Sequence, residues 1–91
     1  MDTLRELSEF ILEEIKDKKI RIEVHTDPVK DEKFDRELTQ KRAEKIAEIL
    51  SRFGVPRQNL VPIGKGSDFP IATNETPEDR LINRRVDFFI E

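Results

Sequence analysis

The chain reads as an α/β two-layer sandwich, with its helices packed on one face of a small mixed sheet. Three patterns predict this: an apolar stripe at helical spacing near the start, a short run alternating every second residue, and a second, longer helical stripe. Two striped helices each need an apolar surface, and one sheet lying against both is the simplest way to supply it.

Leu4, Leu7, Ile11 and Ile15 recur at three and four residues, with Phe10 and Leu12 widening the stripe, which predicts a helix over about 2–16. The run Lys16-Asp17-Lys18-Lys19 ends the stripe and puts positive charge where the helix dipole favours it. Ile20, Ile22 and Val24 alternate with Arg21 and Glu23, the period of a strand with one buried face, ending near His25. Pro28 and the polar run Lys30-Asp31-Glu32-Lys33 break that pattern. A second helix is predicted from near Asp35, with Leu38, Ala43, Ile46, Ala47, Leu50 and Phe53 on one side and Gly54 as its stop. Leu60 to Ile63 reads as a short strand, placed at a sheet edge because Pro62 has no N–H to donate. Gly64-Lys65-Gly66 and Pro70 read as an irregular loop. Thr76-Pro77-Glu78-Asp79 combines an N-cap, a proline at the first helical position and an acidic first turn, so a short helical turn is predicted over Pro77 to Ile82. Val86, Phe88 and Ile90 alternate with Arg85, Asp87 and Phe89 and close the chain as a strand. By phase Phe10, Phe53 and Phe88 belong to the core, with Phe34 and Phe69 at the bases of loops.

Ninety-one residues with 35% apolar side chains suffice for one small domain spanning 1–91. Seventeen basic and 20 acidic side chains leave a net charge of −3, which disfavours a sequence-blind grip on nucleic acid or on an anionic membrane. There is no cysteine, hence no disulfide or thiolate chemistry. No stretch has the length of a signal core or a membrane span, so an exported parent protein implies that this chain is an excised or truncated piece.

His25-Thr26-Asp27, Leu38-Thr39, Arg42-Ala43, Gly54-Val55, Gly64-Lys65-Gly66, Pro70, Asn74, Thr76, Arg80 and Asn83-Arg84-Arg85-Val86 follow one another in a combination that resembles the OmpA-like C-terminal domain. That module is shared with Pal lipoproteins and MotB-type stator proteins, and the resemblance runs from about Leu4 to Ile90. It implies a periplasmic domain, associated with the outer membrane or cell wall, that binds peptidoglycan through the diaminopimelate of its stem peptide without catalysis or cofactor. Departures from the family pattern are specific. The strand that usually precedes the first helix is lacking, Asp35 stands where asparagine is common, Val24 replaces a glycine, and Leu38-Thr39 replaces Leu-Ser.

The resemblance implies a clamp for a zwitterion. Asp27 receives the ammonium of diaminopimelate, and Arg42, fifteen residues later, receives the carboxylate on its planar fork. Arg84 matches a further ligand contact, and Thr26, Asp35, Leu38 and Thr39 match positions lining the pocket; Arg80 and Arg85 are weaker candidates. His25 is read as structural. The alternative function is a structural or oligomerising scaffold with weak or no ligand binding, because an open sheet edge invites pairing with a second copy.

Other motifs dissolve on inspection. Asp27, Asp31 and Asp35 could suggest a calcium loop, but the sixth position is Glu32 and the twelfth Leu38, where glycine and glutamate are needed. Gly64-Lys65-Gly66-Ser67 lacks the glycine interval of a phosphate loop. Asn83-Arg84-Arg85 lacks the basic stripe of a nucleic-acid surface, and Asn74-Glu75-Thr76 reads better as a cap than as a glycosylation site. No nucleophile with a base, and no metal set, is evident.

Overall fold

The computed structural model describes residues 2–14 and 17–91, in the order α1 (Asp2–Glu14), β1 (Ile20–His25), α2 (Glu32–Arg52), a 3-10 turn (Arg57–Asn59), β2 (Leu60–Gly66), α3 (Pro77–Asn83) and β3 (Val86–Ile90). The expected last turn of the first helix, at Ile15 and Lys16, lies outside the described residues. The sheet order is β2-β1-β3, with β1 parallel to β2 and antiparallel to β3. This is the expected two-layer arrangement on a small mixed sheet.

Ile20, Ile22 and Val24 of β1 point into the helix layer and are buried against Ile11, Ala43, Ala47, Leu50, Val55 and Leu60. Ala43 and Ala47 lie one turn apart on α2, and their small side chains let that helix settle close to the strands. Closeness is greatest at Gly64, where a Cβ would overlap the backbone of Thr39 and Gln40. Proline at position 62 does mark an edge strand. Its outer side is covered by α2, since Gln40 accepts from the Gly64 N–H at 2.7 Å and donates to the Pro62 carbonyl at 3.2 Å.

Three local expectations are corrected. Helix α2 starts at Glu32, because Asp31 is its N-cap and accepts from the Phe34 N–H at 2.8 Å, so a run read as a break is the helix start. Gly64-Lys65-Gly66 belongs to β2 rather than to a loop, the irregularity being a register shift opposite Val24 and His25. Phe10, Phe53 and Phe88 are 48%, 37% and 38% exposed, not core. For Phe88 the reason is lateral: α2 packs on β2 and β1 and leaves β3 uncovered, so Val86 and Ile90 are exposed with it.

Strand β3 also has a free edge. Arg85 exchanges backbone bonds with His25, and the Glu91 N–H reaches the Lys19 carbonyl. By antiparallel alternation the N–H and C=O groups of Val86, Phe88 and Ile90 therefore point away from β1, and no strand pairs with them among the described residues.

A buried aspartate beside a cationic cavity

His25-Thr26-Asp27 continues β1 between the ends of its two neighbours. His25 pairs with Arg85, while the Thr26 N–H donates to the Gly66 carbonyl at 3.0 Å, so Thr26 and Asp27 stay buried like His25 although the strand has ended. Asp27 is 4% exposed, and Arg84 meets it with Nε 2.5 Å from Oδ1 and Nη2 3.4 Å from Oδ2. Thr26 adds a long hydroxyl contact at 3.4 Å. The Arg84 hydrogen bonds hold the Asp27 carboxyl below the usual aspartate range, overcoming a burial effect of opposite sign. In turn Asp27 raises the Arg84 guanidinium above its ordinary value.

Arg84 is placed by α3. Thr76 caps that helix by accepting from the Asp79 N–H at 3.0 Å, Pro77 follows, and the helix ends at Asn83 with Arg84 as its C-cap. Buried Asn83 accepts from the Ile71 and Ala72 N–H groups and donates to the Ala72 carbonyl and the Asn74 side chain. The irregular segment before α3 is thereby tied to the residue next to Arg84.

On the other side stands α2. Asp35 is 1% exposed and accepts from the Val29 and Lys30 N–H groups and the Ser67 hydroxyl, which pins the loop after Asp27. Thr39 is fully buried; its hydroxyl donates to the Asp35 carbonyl at 2.9 Å and accepts from the Gly66 N–H, also at 2.9 Å. Leu38 is half-buried on the same helix. Arg42 projects from the exposed side of α2 and forms no ion pair among the described residues.

Arg42 and Arg84 meet at a cavity of about 390 Å³. Val24, Ile46 and Val86 supply its apolar lining and Arg42, Lys45 and Arg84 its cations; His25 and Arg85 border it, but their side chains run to Asp87 and Phe69 on the sheet face opposite α2. Thr26, Asp27, Asp35, Leu38 and Thr39 do not line it. Of the expected clamp, then, Arg42 and Arg84 share a cavity, and Asp27 is joined to it through Arg84 rather than by a bond to Arg42. Lys45 adds a further cation. Lys45 was detectable from its position three residues after Arg42 on one helix face, whereas nothing local to the sequence announces that Arg84 closes on Asp27.

Among the described residues neither buried ring nitrogen of His25 has a hydrogen-bond partner, the nearest carboxylate oxygen being Asp87 Oδ2 at 3.4 Å from Nε2. Burial, seconded by the Arg85 charge, lowers its pKa from about 6.5, so the ring is neutral at pH 7. Among the described residues no set of three or more His, Cys, Asp or Glu is placed to hold a metal, and no helix is long and apolar enough to cross a membrane.

The layered fold and the charged end of its sheet define the class of OmpA-like domains. The chain belongs to the OmpA family, whose model matches residues 1–84. It is 40% identical over 68 residues to the outer-membrane lipoprotein YfiB of Pseudomonas aeruginosa, a match covering 75% of this chain and 40% of that protein. It is 36% identical over 74 residues to the peptidoglycan-binding protein ArfA of Mycobacterium tuberculosis, covering 81% of this chain and 23% of that one. The crystal structure of the C-terminal domain of Helicobacter pylori MotB superposes with a TM-score of 0.89 at 29% identity, over 98% of this chain and 69% of that one. The chain thus spans less than half the length of these two curated relatives.

Proposed function

We propose that this domain binds bacterial peptidoglycan without covalent bonds, through the diaminopimelate of the stem peptide, and so tethers an envelope protein of the periplasm to the cell wall. One observation carries the reading: an ionised, buried carboxylate at the end of β1 is held by an arginine that shares a cavity with a second arginine lacking an acidic partner among the described residues. The name of ArfA, a relative that binds peptidoglycan, supports it.

The far end of diaminopimelate carries an ammonium and a carboxylate on one carbon. Arg42 suits the carboxylate, since a guanidinium offers two parallel N–H donors where lysine offers a point charge. Asp27 suits the ammonium. In the free domain Arg84 occupies that role on Asp27, so the ligand's ammonium shares or displaces an existing cation and the carboxylate is never left bare. Thr26 supports Asp27, while Asp35 and Thr39 fix the loop and helix that carry the two charges, and Leu38 flanks them. Exposed charge pairs contribute about 0–1 kcal/mol each, so single-site affinity is modest and retention on the wall comes from many linked sites.

Retention on purified sacculi tests the reading. Wild-type protein is expected to sediment with diaminopimelate-type wall, Asp27→Ala and Arg42→Ala to remain in solution with circular dichroism unchanged, and lysine-type wall, which lacks the distal carboxylate, to retain less. Equal retention of both variants, or of both wall types, would refute it.

A second reading, assembly through a sheet edge, is favoured by β3. Its exposed Val86, Phe88 and Ile90 present unpaired backbone groups among the described residues, the arrangement that adds a strand from another copy.

A further inference from the structure

We propose that His25 triggers an acid-released strap: a proton on its ring draws the Asp87 carboxylate away from Arg85, and Arg85 then lets go of residues 68–70, which lift off the sheet face opposite α2. The inference stands whatever ligand the domain binds. Ile20, Ile22 and Val24 face the helices, so Arg21, Glu23 and His25 project from the other side of β1. Arg85 and Asp87 stand across from them on β3, with Asp87 the register partner of Glu23. Two carboxylates thus face each other, and His25 reaches toward both: Nε2 is 3.4 Å from Asp87 Oδ2 and 3.9 Å from Glu23 Oε1. Glu23 is engaged by Arg21 at 2.7 Å, whereas the same Asp87 Oδ2 accepts from Arg85 Nε at 3.2 Å. One oxygen has two claimants, and while the ring is neutral the guanidinium holds it. Lys65, on β2, is the further charge acting on the ring.

The same guanidinium fastens the strap, since Arg85 Nη2 donates to the Phe69 carbonyl at 3.1 Å. The Phe69 ring stands edge-on to His25 with centroids 6.3 Å apart, and Lys65 Nζ lies 5.1 Å from its centre. Ser67 is held by Asp35 and Ile71 by Asn83, but between them the exposed Arg36–Asp68 pair at 3.6 Å adds little. A proton on His25 puts a cation in a dry place beside Arg85. The imidazolium donates more strongly than the neutral ring, takes Asp87 and repels Arg85. Arg85 then turns to solvent, the Phe69 carbonyl loses its donor, and water reaches the ring. A hydrated imidazolium holds its proton more tightly than a buried one, so acid selects the lifted state. Burial and the Arg85 charge lower the pKa of the closed state, in the direction this requires. Both ring nitrogens and Arg85 Nη1 are buried without hydrogen-bond partners among the described residues, a cost that the closed state bears and the lifted state sheds.

NMR titration of the 91-residue chain downward from neutral pH tests the strap. The nuclear Overhauser contact between the Phe69 and His25 rings is expected to fade with the midpoint at which the His25 ring titrates, below about 6.5, while the Ile71 and Ala72 amides held by Asn83 stay in place. In His25→Gln, which carries no charge at any of these pH values, the Phe69 resonances should stay still. Phe69→Ala removes a side chain that is 54% exposed, so the fold is kept, and by admitting water it should raise the His25 midpoint toward about 6.5. A ring that titrates with the Phe69 contact intact, a ring that stays neutral until the whole chain unfolds, or a His25 midpoint unchanged in Phe69→Ala overturns the proposal.

Discussion

Arg84 holds Asp27 across 57 residues of chain, its Nε and Nη2 nitrogens each facing one carboxylate oxygen. Helix α3 and the buried Asn83 exist, on this view, to deliver one guanidinium to the end of a strand laid down early in the sequence. Removing the guanidinium should return Asp27 toward or above the ordinary aspartate range, since burial would then act unopposed by Arg84. Carboxyl NMR titration of wild type and Arg84→Gln measures this directly. An Asp27 titration left unmoved would mean that the contact is not formed in solution.

Two side chains weaken stability on the acid side, each in its own pH window. His25 titrates below its ordinary value of about 6.5 when folded, so the unfolded chain takes up the proton first. Its contribution is full above about pH 6.5 and is lost as pH falls through that value toward the lower folded one. Asp27, also lowered, contributes fully above its ordinary value near 3.8 and is lost as pH falls below it. Urea midpoints between pH 8 and 3 should therefore fall in two stages, and His25→Leu should abolish the upper one. A profile flat from pH 8 to 5 in the wild type contradicts the buried neutral imidazole.

Thr39→Val keeps the shape of a fully buried side chain and deletes the hydroxyl that receives the Gly66 N–H. One buried donor is orphaned. The expected loss is about 1–3 kcal/mol, read as a shift in denaturant midpoint with an unchanged slope. Loss near zero would imply that water reaches the end of β2.

Pairing through β3 can be tested on the chain alone. An antiparallel partner centred on Phe88 would put Arg85 of each copy opposite Glu91 of the other and bring Val86 against Ile90, so charge and apolar contacts agree in one register. Sedimentation equilibrium at high concentration is expected to show dimer, and Phe88→Lys monomer. Monomer throughout in the wild type would remove the assembly reading.

Local signals located the three helices and three strands, though not the 3-10 turn Arg57–Asn59, because each of the six carries its own pattern. Ile20, Ile22 and Val24 define β1 to the residue, Pro62 marks an edge, and Thr76-Pro77 starts α3 where its capping chemistry demands. Position relative to the helix layer was not legible in the same way. Phe88 alternates like a core residue and shares the face of Ile22, yet only the lateral reach of α2 decides whether anything covers it. The site divides similarly. Asp27 and Arg42 were singled out as candidates through resemblance, but the partnership of Asp27 with Arg84, and the use of Asp35 and Thr39 as loop fasteners, depend on chain segments that no local pattern connects.

The side chain of Gln40 stands where a fourth strand would otherwise hydrogen-bond to β2, leaving the sheet able to grow in one direction only. Were β3 to meet its twin, both outer rims of the joined sheet would carry that glutamine, and extension into a fibre would have nowhere to begin.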